Sequence, residues 1–200
     1  MNNVYSLFHF REQLNDSFTS LLALEPLTEL ECQEILKIRE VFRSYYDAGK
    51  VTEGQVRLLP IAQLLWLSGF YQTTINITLE ENIAQIDVAD GNTIIQGRMD
   101  ILAVNRAHKG KGINTFVMLL IETKNSTVNA LEGLPQLLTY AYQRLEEQPG
   151  IWGLTTNGLN YQFVYIQPGN PPTYQLFPEL SLIRPEQSMQ LLQVLKGIRC

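Results

Sequence analysis

Two hundred residues, 45% hydrophobic and 18% charged, are enough chain for one globular domain with a core of its own. No apolar run reaches the roughly 18 residues that span a bilayer, and Met1-Asn-Asn-Val-Tyr-Ser6 lacks the basic start and long apolar stretch of a signal peptide. The two cysteines, Cys32 and Cys200, are far apart and read as incidental thiols, so the chain is expected to be cytoplasmic, with no membrane partner.

A net charge of −5 argues against a general nucleic-acid binder, but the charge is unevenly spread. Residues 1–95 carry 6 basic and 13 acidic side chains, residues 96–124 carry 5 and 2, and residues 125–200 carry 4 and 5. The middle segment, with Arg98, Arg106, Lys109, Lys111 and Lys124, is the only net-basic part and the natural approach for a polyanion. Turn lysines that simply keep a hairpin soluble would look the same.

In chain order, Thr28-Glu-Leu-Glu31 is a capping box that opens a helix of about twenty residues ending at Gly49. Thr52-Glu-Gly-Gln55 opens a second helix, interrupted by Pro60 and stopped at Gly69. Thr73–Leu79 and Ile83–Val88 alternate like strands, and Asp90-Gly91-Asn92 turns the chain into Thr93–Val104. Lys109-Gly110-Lys111-Gly112 is a second turn, leading to the most apolar run, Phe116–Ile121. A helix from Pro135 carries the stripe Leu134, Leu137, Leu138, Ala141 and Leu145 and stops by Pro149-Gly150. Strands Ile151–Thr155 and Tyr161–Ile166 follow around Asn157-Gly158, then a Pro-rich turn and a last helix over about Pro185–Lys196. The expected fold class is α/β, a mixed β-sheet flanked by helices.

The chemistry concentrates in Asp100, Glu122 and Lys124. Glu122 and Lys124 close the apolar strand, where charge is costly unless paired or bound to an ion. A hairpin centred on residue 111 sets Asp100 opposite Glu122, with Cβ atoms about 5 Å apart. Alternation adds Lys124 to that face and turns Thr123 away; a bulge would disturb the register. Two carboxylates suit Mg2+, a hard cation that keeps several waters and takes the rest of its shell from a phosphate. Lys124 could then orient a water or steady phosphate charge, whereas a plain Glu122–Lys124 ion pair is the bland alternative. His9 and His108 have no partners at zinc spacing or in a nucleophile context, and Gly110-Lys111-Gly112 lacks the spacing of a nucleotide loop.

Asp100 followed by Glu122-Thr-Lys124 resembles the PD-(D/E)XK nuclease superfamily, with Met99 in place of the usual proline. Gln136-Leu-Leu-Thr-Tyr140 is similar to the Q-x-x-x-Y motif of the branch that holds the nuclease domains of type I restriction motor subunits and RecB-like exonucleases. Thr52–Arg57 running to Phe70 resembles that branch's first helix, with Glu53 at its acidic position, and Thr155-Thr-Asn157-Gly158 resembles the segment after the motif helix. The resemblance covers about residues 50–166. It implies a restriction-endonuclease-like fold in one domain over 1–200, with a helical extension (1–48), a catalytic core (50–166) and a C-terminal turn and helix (167–200).

The implied activity is Mg2+-dependent hydrolysis of DNA phosphodiester bonds by an endonuclease or exonuclease, with Mn2+ as a substitute. Asp100, Glu122 and the Thr123 carbonyl would hold the metal, Lys124 would assist the attacking water, and Glu53 would be an accessory acid. Gln136 and Tyr140, one turn apart in the first turns of their helix and opposite the leucine stripe, would position the substrate strand; otherwise they are two exposed polar residues. A helicase, a methyltransferase or a second copy would help an acidic chain grip DNA. The alternative is a catalytically idle nucleic-acid-binding or interaction module on the same fold.

Overall fold

A computed structural model describes residues 8–14, 16–87, 94–109, 112–145 and 148–199, with side chains described outside 81–97 and 106–115. The expected turns at Asp90-Gly91-Asn92 and Gly110-Lys111, the side chains of Arg106, His108, Lys109 and Lys111, and Cys200 lie outside the described residues.

Both capping boxes form. Thr28 and Glu31 cap α1 (Glu29–Asp47), and Thr52 and Gln55 cap α2 (Glu53–Val56), each pair exchanging side-chain and backbone bonds. Pro60 does not end the second helix. A π turn, Arg57–Ile61, takes up the missing donor, and the helix resumes as α3 (Ala62–Leu67).

The described strands form one eight-stranded mixed sheet, in the order β1-β7-β6-β5-β4-β3-β2 with β8 beside β6. The strands are β1 (Arg11–Leu14), β2 (Ile75–Asp87), β3 (Ile94–Lys109), β4 (Gly112–Thr123), β5 (Ile151–Thr156), β6 (Asn160–Gln167), β7 (Thr173–Leu176) and β8 (Leu180–Ser181). The two strand runs expected over 73–88 are one strand, β2, and the β3–β4 hairpin extends well beyond Val104 and Phe116. Because α4 (Leu134–Tyr142) follows β4, β5 returns parallel to it, with Glu122 beside Thr155. The C-terminal helix α5 (Pro185–Arg199) packs with α1.

Alternate residues of the central strands feed two hydrophobic clusters. Ile101, Ala103, Leu119, Ile121, Leu154 and Phe163 join the α1–α3 and α5 side. Leu102, Leu120, Val164 and Ile166 join the side covered by α4 and by Phe8 and Phe10. All five residues of the expected α4 stripe are buried.

The hairpin register has a finer origin than one turn centre. Lys109 pairs with Gly112, so the tip centres half a residue before 111. A shift between Ala103 and Val104 leaves Met118 as the extra residue, and from Ala103–Leu119 to Ile101–Ile121 the pairing follows the expected register. Two small departures cancel.

Candidate active site

Glu122 is 2% exposed at the end of β4. Its Oε1 accepts from Lys124 Nζ at 2.7 Å, while Oε2 is buried with no hydrogen-bond partner among the described residues. Burial pushes its carboxyl up to about 7. The hydrogen bond from Lys124 opposes this, and the charges of Asp100 and Glu53 reinforce it. Thr155, its neighbour in the β4–β5 register, is fully buried and its hydroxyl likewise has no partner among the described residues. Gly133, just before α4, presses on Glu122 so closely that an added Cβ would lie 2.8 Å from Cγ.

Asp100 is engaged differently from the expectation. Its Oδ2 accepts from the Thr123 backbone N–H at 2.7 Å and from the Thr123 hydroxyl, and its Oδ1 lies 3.5 Å from Arg57 Nη1. Thr123 is therefore not turned away from Asp100; it is the residue of β4 that holds it. The reason is a break in alternation: Met99 and Leu102 share the α4-side cluster although three positions apart. Opposite this break, β2 is irregular at Glu80, whose φ is 54°, and pairing jumps from Leu79–Ile101 to Glu81–Met99. Asp100 turns toward Arg57, and Glu122 stays against Gly133. Asp100 is still close enough for its charge to raise the Glu122 carboxyl.

Glu53 reaches the same neighbourhood through the loops. The Ser126 N–H donates to the Val51 carbonyl and the Val51 N–H to Ser126 Oγ, both at 3.0 Å, which pins the start of α2 to the chain leaving β4. Arg57 is one turn after Glu53, so the helix brings an acid and a base to one side. The spacing from Glu53 to Arg57 was readable in the sequence, but the arginine's partner was not.

The motif helix corrects one expectation. Tyr140 is 1% exposed and part of the α4-side cluster, not a side chain free to meet a substrate. The leucine stripe accounts for one face of α4, but Phe8, Phe10 and Tyr174 belong to the same cluster as the helix, and Phe8 and Phe10 pack on its Tyr142. Gln136 is half-buried, and its Nε2 donates to the Arg98 carbonyl at 2.6 Å, tying α4 to β3 two residues from Asp100.

Among the described residues, no group of three or more His, Cys, Asp and Glu side chains is arranged to hold a metal. Glu53, Asp100 and Glu122 share a field without forming a three-donor cage. Among the described residues, the cations paired with these acids are Arg57 and Lys124, which leaves the three acids one positive charge short when all are ionised. No helix among the described residues is long and apolar enough to cross a membrane. No protein-family model and no curated protein matches the chain.

Proposed function

We propose that this chain is a Mg2+-dependent nuclease that hydrolyses DNA phosphodiester bonds on a restriction-endonuclease-like fold. The observation that carries the reading is Glu122: a buried carboxylate with one oxygen held by a lysine, the other without a partner among the described residues, and a proton affinity raised by burial and, less, by two neighbouring acids. An orphaned, desolvated acceptor in a cluster short of positive charge fits a hard divalent cation. Glu122 and Asp100 would hold it, with the Thr123 carbonyl as a further oxygen donor. Such an ion, when bound, neutralises phosphate charge and makes a neighbouring water more acidic.

The chain's own residues supply the rest. Thr123 fixes the rotamer of Asp100 through two hydrogen bonds, so its second oxygen has a defined direction. Lys124, one fifth exposed, places an ammonium between buried Glu122 and solvent, where it can orient an attacking water or stabilise charge on a phosphate. Arg57, its Nη1 3.5 Å from Oδ1, helps to position Asp100 before substrate arrives. Gln136 holds β3 in place beside Asp100.

The ion pairs Glu122–Lys124 and Asp100–Arg57 favour a second reading, an idle binding module on the same fold. Cleavage of supercoiled plasmid separates the two. Purified wild type should nick DNA with Mg2+ and stop with EDTA, while Asp100→Ala and Lys124→Ala still unfold cooperatively, at a lower midpoint, and lose nicking. Binding without cleavage by wild type would sink the hydrolase reading and leave the module.

A further inference from the structure

Glu80 is an exposed glutamate in a sparsely populated backbone conformation, and it sits between two arginines. Its Oε2 is 2.8 Å from Arg98 Nη1 and its Oε1 is 3.3 Å from Arg57 Nη1, while that same Nη1 is 3.5 Å from Asp100 Oδ1. A φ of 54° is uncommon for a residue with a Cβ, and it falls where β2 passes Asp100. The Arg57 contacts are longer than the 2.7–2.9 Å of a strong charge-assisted bond. Among the described residues, Arg57 meets carboxylates through Nη1 alone, which leaves most of its five donors for another acceptor. Arg98 is well exposed, and the backbone from which it projects is fixed by Gln136.

We propose that Arg57 and Arg98 form a clamp for a DNA backbone phosphate next to Asp100, and that the Glu80 carboxylate occupies this clamp until a phosphate displaces it. The inference rests on the nuclease reading for the identity of the ligand, but it concerns binding alone. A carboxylate shared by two guanidiniums presents two anionic oxygens, as does a phosphodiester. The Gln136 tether then has a purpose: it aims Arg98 from a strand rather than a loop. Arg98 belongs to the one net-basic stretch of the chain, residues 96–124, and Arg57 contacts Asp100 within it.

The test is binding of a short fluorescent DNA duplex in EDTA, followed by anisotropy over a range of salt concentrations, so that cleavage plays no part. Glu80→Gln should tighten binding several-fold and steepen the salt dependence by about one phosphate contact, and Arg98→Ala should weaken binding and flatten it by about one. In the double variant, the gain from Glu80→Gln should largely vanish, because the group it unmasks is gone. Glu80→Gly, which suits the left-handed backbone, should reproduce the gain and controls for a folding defect. An equal gain from Glu80→Gln with and without Arg98, unchanged salt slopes, or no measurable binding by wild type and Glu80→Gln would each overturn the clamp. Loss of the hydrolase reading with this pattern intact would leave the clamp standing.

Discussion

Lys124 Nζ lies 2.7 Å from one carboxylate oxygen of Glu122, and the other oxygen of that carboxylate is buried without a partner among the described residues. The pair is half-satisfied. The lysine, two positions along the strand, covers one oxygen and leaves the second, and this asymmetry distinguishes the site from a closed structural ion pair.

The pH dependence of the metal-free protein follows from Glu122. Its folded carboxyl titrates at about 7 against an ordinary value of 4.5. Between those values the folded chain keeps a proton that the unfolded chain has lost, so stability falls as pH rises through the window and levels off above about 7. The total is at most about 3 kcal/mol, and Glu122→Gln should abolish it. Thermal melts in EDTA across that range check the sign; a rise in stability with pH at this site would contradict it. Stabilisation by Mg2+ should run the other way, growing with pH as Glu122 ionises, and should be absent in Asp100→Ala.

Thr123→Val should loosen Asp100 without enlarging the side chain. The fully buried Thr123 hydroxyl is one of two donors to Asp100 Oδ2, and its loss should cost about 1–3 kcal/mol. Thr123→Ser should retain most of the stability. Denaturant unfolding of both variants measures the difference, and equal stability of Val and wild type would show that the bond is unimportant.

Gly133→Ala should act on Glu122 from the opposite side. The backbone there is ordinary, so the effect is purely steric: the new methyl would sit 2.8 Å from Glu122 Cγ. Displacing a catalytic carboxylate by about 1 Å can cost on the order of 100-fold in rate, whereas overpacking costs about 1–3 kcal/mol of stability. Retained folding with greatly reduced plasmid nicking is the expected result.

Tyr140→Ala should behave as a core mutation. Truncating a ring this deeply buried should cost about 3–5 kcal/mol and lower the thermal midpoint markedly. An unchanged midpoint with weaker DNA binding would restore the substrate-contact role that the spacing Gln136–Tyr140 suggested.

Local chemistry was legible in the sequence wherever a few adjacent residues decide the outcome. Both capping boxes, the stripe on α4 and the apolar run of β4 are of this kind, because backbone hydrogen bonding and side-chain periodicity act over four or five residues. β1, β7 and β8 were not anticipated. They are two to four residues long, β1 is exposed throughout, and pairing with a distant strand, not any propensity of their own, makes them strands. Tyr140 looked available because the helix was read alone; in the fold it is buried in a cluster that draws residues from both ends of the chain.

The composition of the site followed from the sequence: two acids and a lysine at the end of an apolar strand, with a further acid at a capped helix start. Its arrangement was a tertiary matter. Strand alternation is a local rule, and it fails at Met99–Asp100, opposite Glu80 and its left-handed backbone, so that Asp100 turns to Thr123 and Arg57. Which oxygen of Glu122 stays unpartnered, and which arginines stand beside Asp100, depend on contacts between residues up to dozens of positions apart. Only packing of the folded chain can select those.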